Sequence, residues 1–329
     1  MGTRDGATPV NTILLWIFLG AVLFDLLIGE PPSKIHPVVW MGKIVATLEK
    51  HKPENYQKLW GAIIVITTAA PFVIAGFLIQ TNNPFDITGI IGILASIYLL
   101  KSTFSIKMLL GESKKMEEEL RGGDIDSARS KLPTFVSRNP EGFDEEKISS
   151  AVIESTSESY LDTILSPLFY FTLFGLPGAL AYKAVSTIDS MIGYMEPPYR
   201  NLGHVPAKLD DILNYIPARI SALMIILAAT TQRPIEALNC ARQEHNKTPS
   251  PNSGWPMAAA AGALRVRLEK PGVYTINPTA TSPQPEQIAQ TVKLVRAASM
   301  ILIALVTTVL YLTPTTSAWH GLLSILISD

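Results

Sequence analysis

The chain has 329 residues, 47% of them hydrophobic and only 17% charged, with a formal net charge of −1 and a mean hydropathy of +0.26. Soluble proteins carry about a quarter charged residues, so the composition excludes an ordinary soluble domain and points to long membrane-embedded runs. No basic aromatic stripe marks a nucleic-acid surface, and the single cysteine, Cys240, excludes an internal disulfide or a cysteine metal cluster.

In chain order, residues 12–29 form a first apolar span. A signal peptide is the rival reading, but no small-residue cleavage site follows, so the helix is taken as retained. Asp25 lies near its end. Pro31, Pro32 and Pro37 then forbid a continuous helix. An amphipathic piece from Val38 to Leu48 lies along the membrane surface with Trp40 as anchor. Residues 59–79 and 85–100 are the second and third spans, joined by the turn TNNP. The polar stretch 101–160 reads as a water-exposed helical hairpin broken at Gly122 and Gly123, with pairs such as Lys114 and Glu118. Arg138 is the one position there noted for chemistry, because an acid stripe follows.

Residues 164–182 are apolar but interrupted by Pro167, Gly175, Pro177 and Gly178. Residues 213–231 carry Asn214, Pro217 and Arg219 in their first turns. The segment 233–296 is polar, 297–313 is a final span, and the tail lies at the interface. The expectation is an all-α integral membrane protein forming one polytopic domain over 1–329. About four full transmembrane helices are joined by broken or re-entrant helices and by cytoplasm-facing helical loops at 101–160 and 233–296.

Basic residues set the topology. Five lysines lie in 30–58, nine Lys or Arg in 101–160 and eight in 233–296, with none in the 80–84 turn or after Arg296. By the positive-inside rule these three segments are cytoplasmic and both termini are outside. The stretch 164–231 therefore crosses twice or dips in and returns, and its broken helices favour re-entry.

Residues 151–219 hold carboxylates inside or against apolar runs, where a lone charge is costly unless paired, metal-bound or solvated. Read as one helix, Glu154, Glu158 and Asp162 fall at i, i+4 and i+8 on one stripe, which favours a facing cation or a shifted pKa. Asp189 follows, then Asp210 and Asp211. A solvated face with helix caps is the competing reading. Two polar stretches stand out besides. TPSPNSGWP is a fixed loop before a helix whose first turn offers unpaired N–H groups to an anion, with Arg265 and Arg267 about three turns on; a tight interfacial turn anchored by Trp255 competes. In IPAR, Arg219 either snorkels or pairs with Asp210, Asp211 or a phosphate. Clustered acids with nearby bases suit Mg²⁺-bound phosphate chemistry, and no P-loop is present. From the residues alone this is a cytoplasm-facing membrane enzyme or transporter handling a phosphorylated or anionic substrate.

The segments DLLIGEPPSKIHPVVWMGK, AVIES, SPLFY, GLPGALAYKAVSTIDSMIGY, AKLDDILNYIPARISAL and PSPNSGWPMAAAAGALRVRL resemble, in the same order, the motifs of the adenosylcobinamide-phosphate synthase family, the cobalamin-biosynthesis proteins called CbiB or CobD. The resemblance runs from Phe24 to Tyr274. It implies a multi-pass cell-membrane ligase, dependent on ATP and Mg²⁺, with its active site facing the cytoplasm. Such an enzyme joins the corrinoid adenosylcobyric acid to an amino alcohol phosphate, typically aminopropanol phosphate. The implied partners are these substrates, the bilayer and other membrane enzymes of the corrinoid pathway.

The same resemblance implies catalytic roles for Glu154, Glu158, Asp162, Asp189, Asp210 and Asp211, with Asp189, Asp210 and Asp211 as metal ligands. Lys183, Tyr194, Lys208, Asn214, Arg219, Asn252, Trp255 and Arg265 are the implied substrate-binding set. The chain departs from the family pattern at several places. AEN…DG becomes Ser157-Glu158-Ser159 and Asp162-Thr163, NTLDS begins with Ser186, RD is Arg138-Asn139, and the acid after GWP is Met257. These departures keep open a non-catalytic corrinoid-binding scaffold of the same family. A membrane phosphotransferase or prenyltransferase using paired aspartates lacks its second acidic motif.

Overall fold

The structure, a computed structural model, describes residues 10–80, 87–136, 140–194, 196–231 and 233–313. Among the described residues, twelve α-helices run in the order α1 (Val10–Leu27), α2 (Pro37–Lys50), α3 (Gln57–Gln80), α4 (Ile87–Lys101), α5 (Ile106–Arg121), α6 (Ile125–Lys131), α7 (Glu145–Tyr160), α8 (Ser166–Ile192), α9 (His204–Ala228), α10 (Pro234–Glu244), α11 (Gly254–Leu264) and α12 (Pro285–Leu312). Among the described residues the only sheet is an antiparallel hairpin of β1 (Leu268–Lys270) and β2 (Tyr274–Ile276), with Leu268 opposite Ile276. Five segments, Gln57–Ile79, Gly89–Arg121, Glu145–Ile192, His204–Ala228 and Pro285–Leu312, are long and apolar enough to cross a membrane. The protein is an all-α, multi-pass integral membrane protein.

Several local expectations change. Pro217, expected in the first turns of its apolar run, lies well inside α9, which begins at His204 and continues to Ala228 with one backbone N–H missing. The last span starts earlier than the hydropathy marks it, because α12 begins at Pro285 and its polar turns are already helical. The break within 164–182 is real, and it falls at Gly175, whose φ of 65° and ψ of −158° interrupt α8 two residues before Pro177. A side chain there would be strained, which is why glycine occupies the kink. The TNNP turn, Arg138 and the tail lie outside the described residues.

The chain forms two compact units. The first comprises Met1–Phe104, Pro167–Asp210 and Ile303–Asp329. Here α1 packs on α4 and α3 on both α2 and α4. Val45, Ile64, Ile188, Ile192 and Leu202 form a fully buried cluster. A charged network closes one end. Lys101, the last residue of α4, has no exposed side-chain surface; its Nζ lies 3.1 Å from Asp25 Oδ1, donates to Glu30 Oε1 at 2.7 Å and to the Phe104 carbonyl at 3.2 Å. Asp25 is equally buried, and Glu30 Oε2 meets His36 Nε2 at 3.0 Å. His36 Nδ1 accepts from the Val38 N–H and caps α2, so the ring proton sits on Nε2 and is donated to Glu30.

The second unit comprises Ser105–Ser166 and Asp211–Leu302. The polar hairpin is present as α5, α6 and α7, with α5 ending at Gly122. At its centre, α11 has every residue but Trp255 buried, and its run of alanines lets α10 and α7 approach closely. Gly254 begins α11 where a Cβ would stand 1.9 Å from the His245 carbonyl oxygen. Gly254→Ala should therefore destabilise the protein by about 1–3 kcal/mol through forced backbone movement. Thermal unfolding in detergent reads this, and an unchanged midpoint would contradict it.

Candidate functional site

The second unit gathers most of the acids and polar residues singled out by the sequence. Between α7 and α8 the chain winds as a π-helical turn, Leu161–Leu165. Regular α spacing thus holds from Glu154 to Glu158 but not on to Asp162, and the three acids do not make a single stripe. Such turns recur at functional sites because they redirect side chains. Asp162 Oδ1 accepts from Asn214 Nδ2 at 3.2 Å, while Asn214 Oδ1 accepts from Ser166 Oγ at 2.7 Å. Asn214 is 1% exposed, and these two bonds fix which way its amide points. Glu154 is also buried and accepts from the Tyr274 hydroxyl. With Glu158, Lys270 and Tyr274 it lines a cavity of about 240 Å³.

Three residues of α9, Asp211, Tyr215 and Arg219, follow at i, i+4 and i+8 and share one face. The Thr248–Pro256 loop meets this face at two points. Asn252 Nδ2 donates to the Asp211 carbonyl at 2.8 Å, and Ser250 Oγ stands 3.5 Å from Asp211 Oδ1. The Arg219 guanidinium lies 3.6 Å from the Tyr215 ring centroid and 5.1 Å from that of Trp255, and donates to the Tyr215 carbonyl. Trp255 in turn stacks on His245 at 3.9 Å. Ring contacts of this kind hold a guanidinium in place without neutralising it. Asn252 Oδ1 and Trp255 Nε1 are buried without hydrogen-bond partners. An unmet buried polar atom costs about 1–3 kcal/mol, a cost that a bound group would relieve.

Other sequence candidates lie elsewhere. Arg265 ends α11 in a left-handed conformation (φ 54°) and pairs with Glu236 at 2.7 Å, about 15 Å of helix away from Trp255. Lys183, Asp189, Tyr194, Lys208 and Asp210 belong to the first unit. Asp189 sits on α8, where its carbonyl accepts from Gly193 N at 2.7 Å; Tyr194 and Lys208 are exposed. Among the described residues no three His, Cys, Asp or Glu side chains converge as a metal cage.

A family model for the CobD/Cbib protein matches residues 18–312. The chain belongs to the CobD/Cbib family. It is 43% identical over 315 residues to a probable cobalamin biosynthesis protein CobD of Methanothrix thermoacetophila, covering 92% of this chain and 96% of the relative. Identity is 42% over 281 residues to the protein of the same name in Methanothermobacter thermautotrophicus, covering 84% and 92%. It is 38% over 304 residues to the cobalamin biosynthesis protein CobD of Dehalococcoides mccartyi, covering 91% and 98%. No solved structure matches the chain.

In this CobD/Cbib chain the sequence reading overlooked Tyr274, Tyr215, Ser166, Ser250 and His245. No spacing rule marks Tyr274, since it lies 120 residues from the Glu154 it serves. Tyr215 was within reach of the helical period, four residues after Asp211 and four before Arg219.

Proposed function

We propose that the protein works in cobalamin biosynthesis as an adenosylcobinamide-phosphate synthase, ligating an amino alcohol phosphate to adenosylcobyric acid at the expense of ATP. The observation that carries this reading is the ring-held Arg219 on the same face of α9 as Asp211, with the Thr248–Pro256 loop touching both through Trp255 and Asn252, an arrangement suited to a phosphate and a cation. Motif order shared with the family supports the substrate assignment.

In the proposed reaction a propionate carboxylate of the corrinoid attacks the γ-phosphorus of ATP and ADP leaves. The amine nitrogen then attacks the acyl carbon, the bond from that carbon to the phosphate oxygen breaks, and phosphate departs as a protein base takes the amine proton. Arg219 binds phosphate through its planar guanidinium. Mg²⁺ is commonly held by one or two carboxylates and by substrate phosphates, without a protein cage. The all-oxygen set of Asp211, Ser250 Oγ and Asn252 Oδ1 fits it and would hold it. When bound, the ion supplies neutralising charge for the phosphates. Glu154 and Glu158, which line their cavity together, are the proposed bases for the amine proton.

The test is turnover by purified, detergent-solubilised protein with adenosylcobyric acid, aminopropanol phosphate, ATP and Mg²⁺, read by mass spectrometry of the corrinoid. Arg219→Lys keeps the charge but loses the planar fork, so KM for the phosphate-bearing substrate should rise about tenfold while kcat changes little. An unchanged KM would remove Arg219 from phosphate binding.

A second reading, a corrinoid-binding relative without turnover, is favoured by Met257. It stands where the family pattern has an acid, is 1% exposed, and places its Sδ 4.0 Å from the Tyr274 hydroxyl. Corrinoid binding without product in the same assay would select it.

The cytoplasmic orientation of the site rests on the basic loops. Asn201 is exposed in the segment before α9. In a Cys240→Ala background, a cysteine there should be labelled from the cytoplasmic side. Labelling only from outside would overturn re-entry of 164–231.

A further inference from the structure

A cavity of about 660 Å³ in the second unit belongs to none of the chemistry above. One wall is a stripe of α10: Glu236, Asn239, Cys240, Gln243 and Glu244, which follow at i, i+3, i+4, i+7 and i+8 and so face one way over about 12 Å of helix. The opposite wall is Gly262 and Arg265 from the end of α11, with the segment from Asn277 to Thr281. Gly262 keeps the helices close: a Cβ there would come within 2.4 Å of the Glu236 carbonyl oxygen. Asn277 is occupied in holding the wall, its Nδ2 donating to the Ala261 and Val266 carbonyls.

The charges lining this space do not cancel. Arg265 and Glu236 are paired at 2.7 Å, and the guanidinium holds the Glu236 carboxyl below the usual carboxylate range. Glu244 remains. It lines the cavity, and burial together with the Glu244 charge pushes the Cys240 thiol up to about 12, leaving that thiol a neutral, unreactive part of the wall. Amides (Asn239, Gln243) and hydroxyls (Thr279, Thr281) fill the space between the charged ends. A polyanion is disfavoured, because the one arginine is already engaged and the remaining charge is negative. The volume lies within the range of small-molecule sites and exceeds what an amino alcohol phosphate fills.

We infer that this cavity is a second ligand site, for a polyhydroxylated organic monocation whose ammonium group pairs with Glu244 and whose hydroxyls meet the amides and threonines.

Three matched linear probes separate the contributions: glucamine carries the amine, sorbitol replaces it with a neutral hydroxyl, and gluconate carries a carboxylate. Isothermal titration of the full-length protein in detergent should show saturable glucamine binding, sorbitol at least about tenfold weaker, and no heat from gluconate. Glu244→Gln should erase the preference for glucamine over sorbitol. Gln243→Ala, at an exposed position that does not endanger folding, should weaken both probes alike. Equal affinity for glucamine and sorbitol, glucamine preference surviving in Glu244→Gln, or no glucamine binding to protein with a native unfolding transition would each overturn the inference. Loss of aminopropanol phosphate binding in Glu244→Gln would also overturn it, by making the cavity part of the substrate site. Because these readouts are equilibrium binding, they stand whether or not the protein turns over.

Discussion

Lys101→Met should lower stability by about 3–5 kcal/mol, enough to leave much of the protein unfolded or aggregated on extraction. Removing the ammonium takes a 3.1 Å cation from Asp25, which has no exposed side-chain surface, and a 2.7 Å partner from Glu30. The penalty comes from buried carboxylate charge that has lost this cation, so Asp25→Asn combined with Lys101→Met should recover about half of the loss. Unfolding midpoints in detergent for the two single variants and the double test this. A single-variant loss below about 1 kcal/mol would show that water or another cation already serves Asp25.

Asp211→Asn should lower kcat in the ligation assay by about 10²–10³-fold. Asparagine keeps the shape and can still accept from Ser250 Oγ, while Asn252 bonds the Asp211 backbone and is untouched. Loss of charge is then the main change, with corrinoid binding and the unfolding midpoint preserved. Asp126→Asn is the control: Asp126 is an exposed acid on α6 whose contact is a surface pair with Arg129, and its loss should leave turnover unchanged. Full activity in Asp211→Asn would move the catalytic acid to Asp162 or to the Glu154 and Glu158 cavity.

The helical membrane architecture was legible in the sequence because apolar length is a one-dimensional property. Runs near 59–79 and 85–100 become α3 and α4 with small shifts. Amphipathic period gave α2, and the paired glycines gave the end of α5. What failed was local chemistry overruled by packing. Pro217 reads as lying in the first turns of its run yet sits well inside α9, and the π-helical turn at Leu161–Leu165 has no signature in LDTIL, so the stripe drawn through Asp162 could not be corrected beforehand. Individual candidates were legible where an unusual residue sits in an apolar context, as with Asn214 and Arg219. Their partners were not, because Asp162 and Asn214 meet across 52 residues and Asp211 and Asn252 across 41. Asp25 was visible as a charge in a span, but Lys101 looks like any lysine closing an apolar run.

The pairing of Lys101 with the first helix also bears on how the chain is made. Glu30 and Lys101 are 71 residues apart, so when α1 leaves the ribosome neither Asp25 nor Glu30 yet has the Lys101 ammonium to meet. Synthesis must proceed through α2 and α3 and to the last residue of α4 before the charge is matched. Until then α1 has to wait in a setting that tolerates Asp25, at the membrane surface or beside the insertion machinery. Chains halted short of Lys101 would lack this cation, which gives synthesis a defined point at which the charge network of the first helix becomes complete.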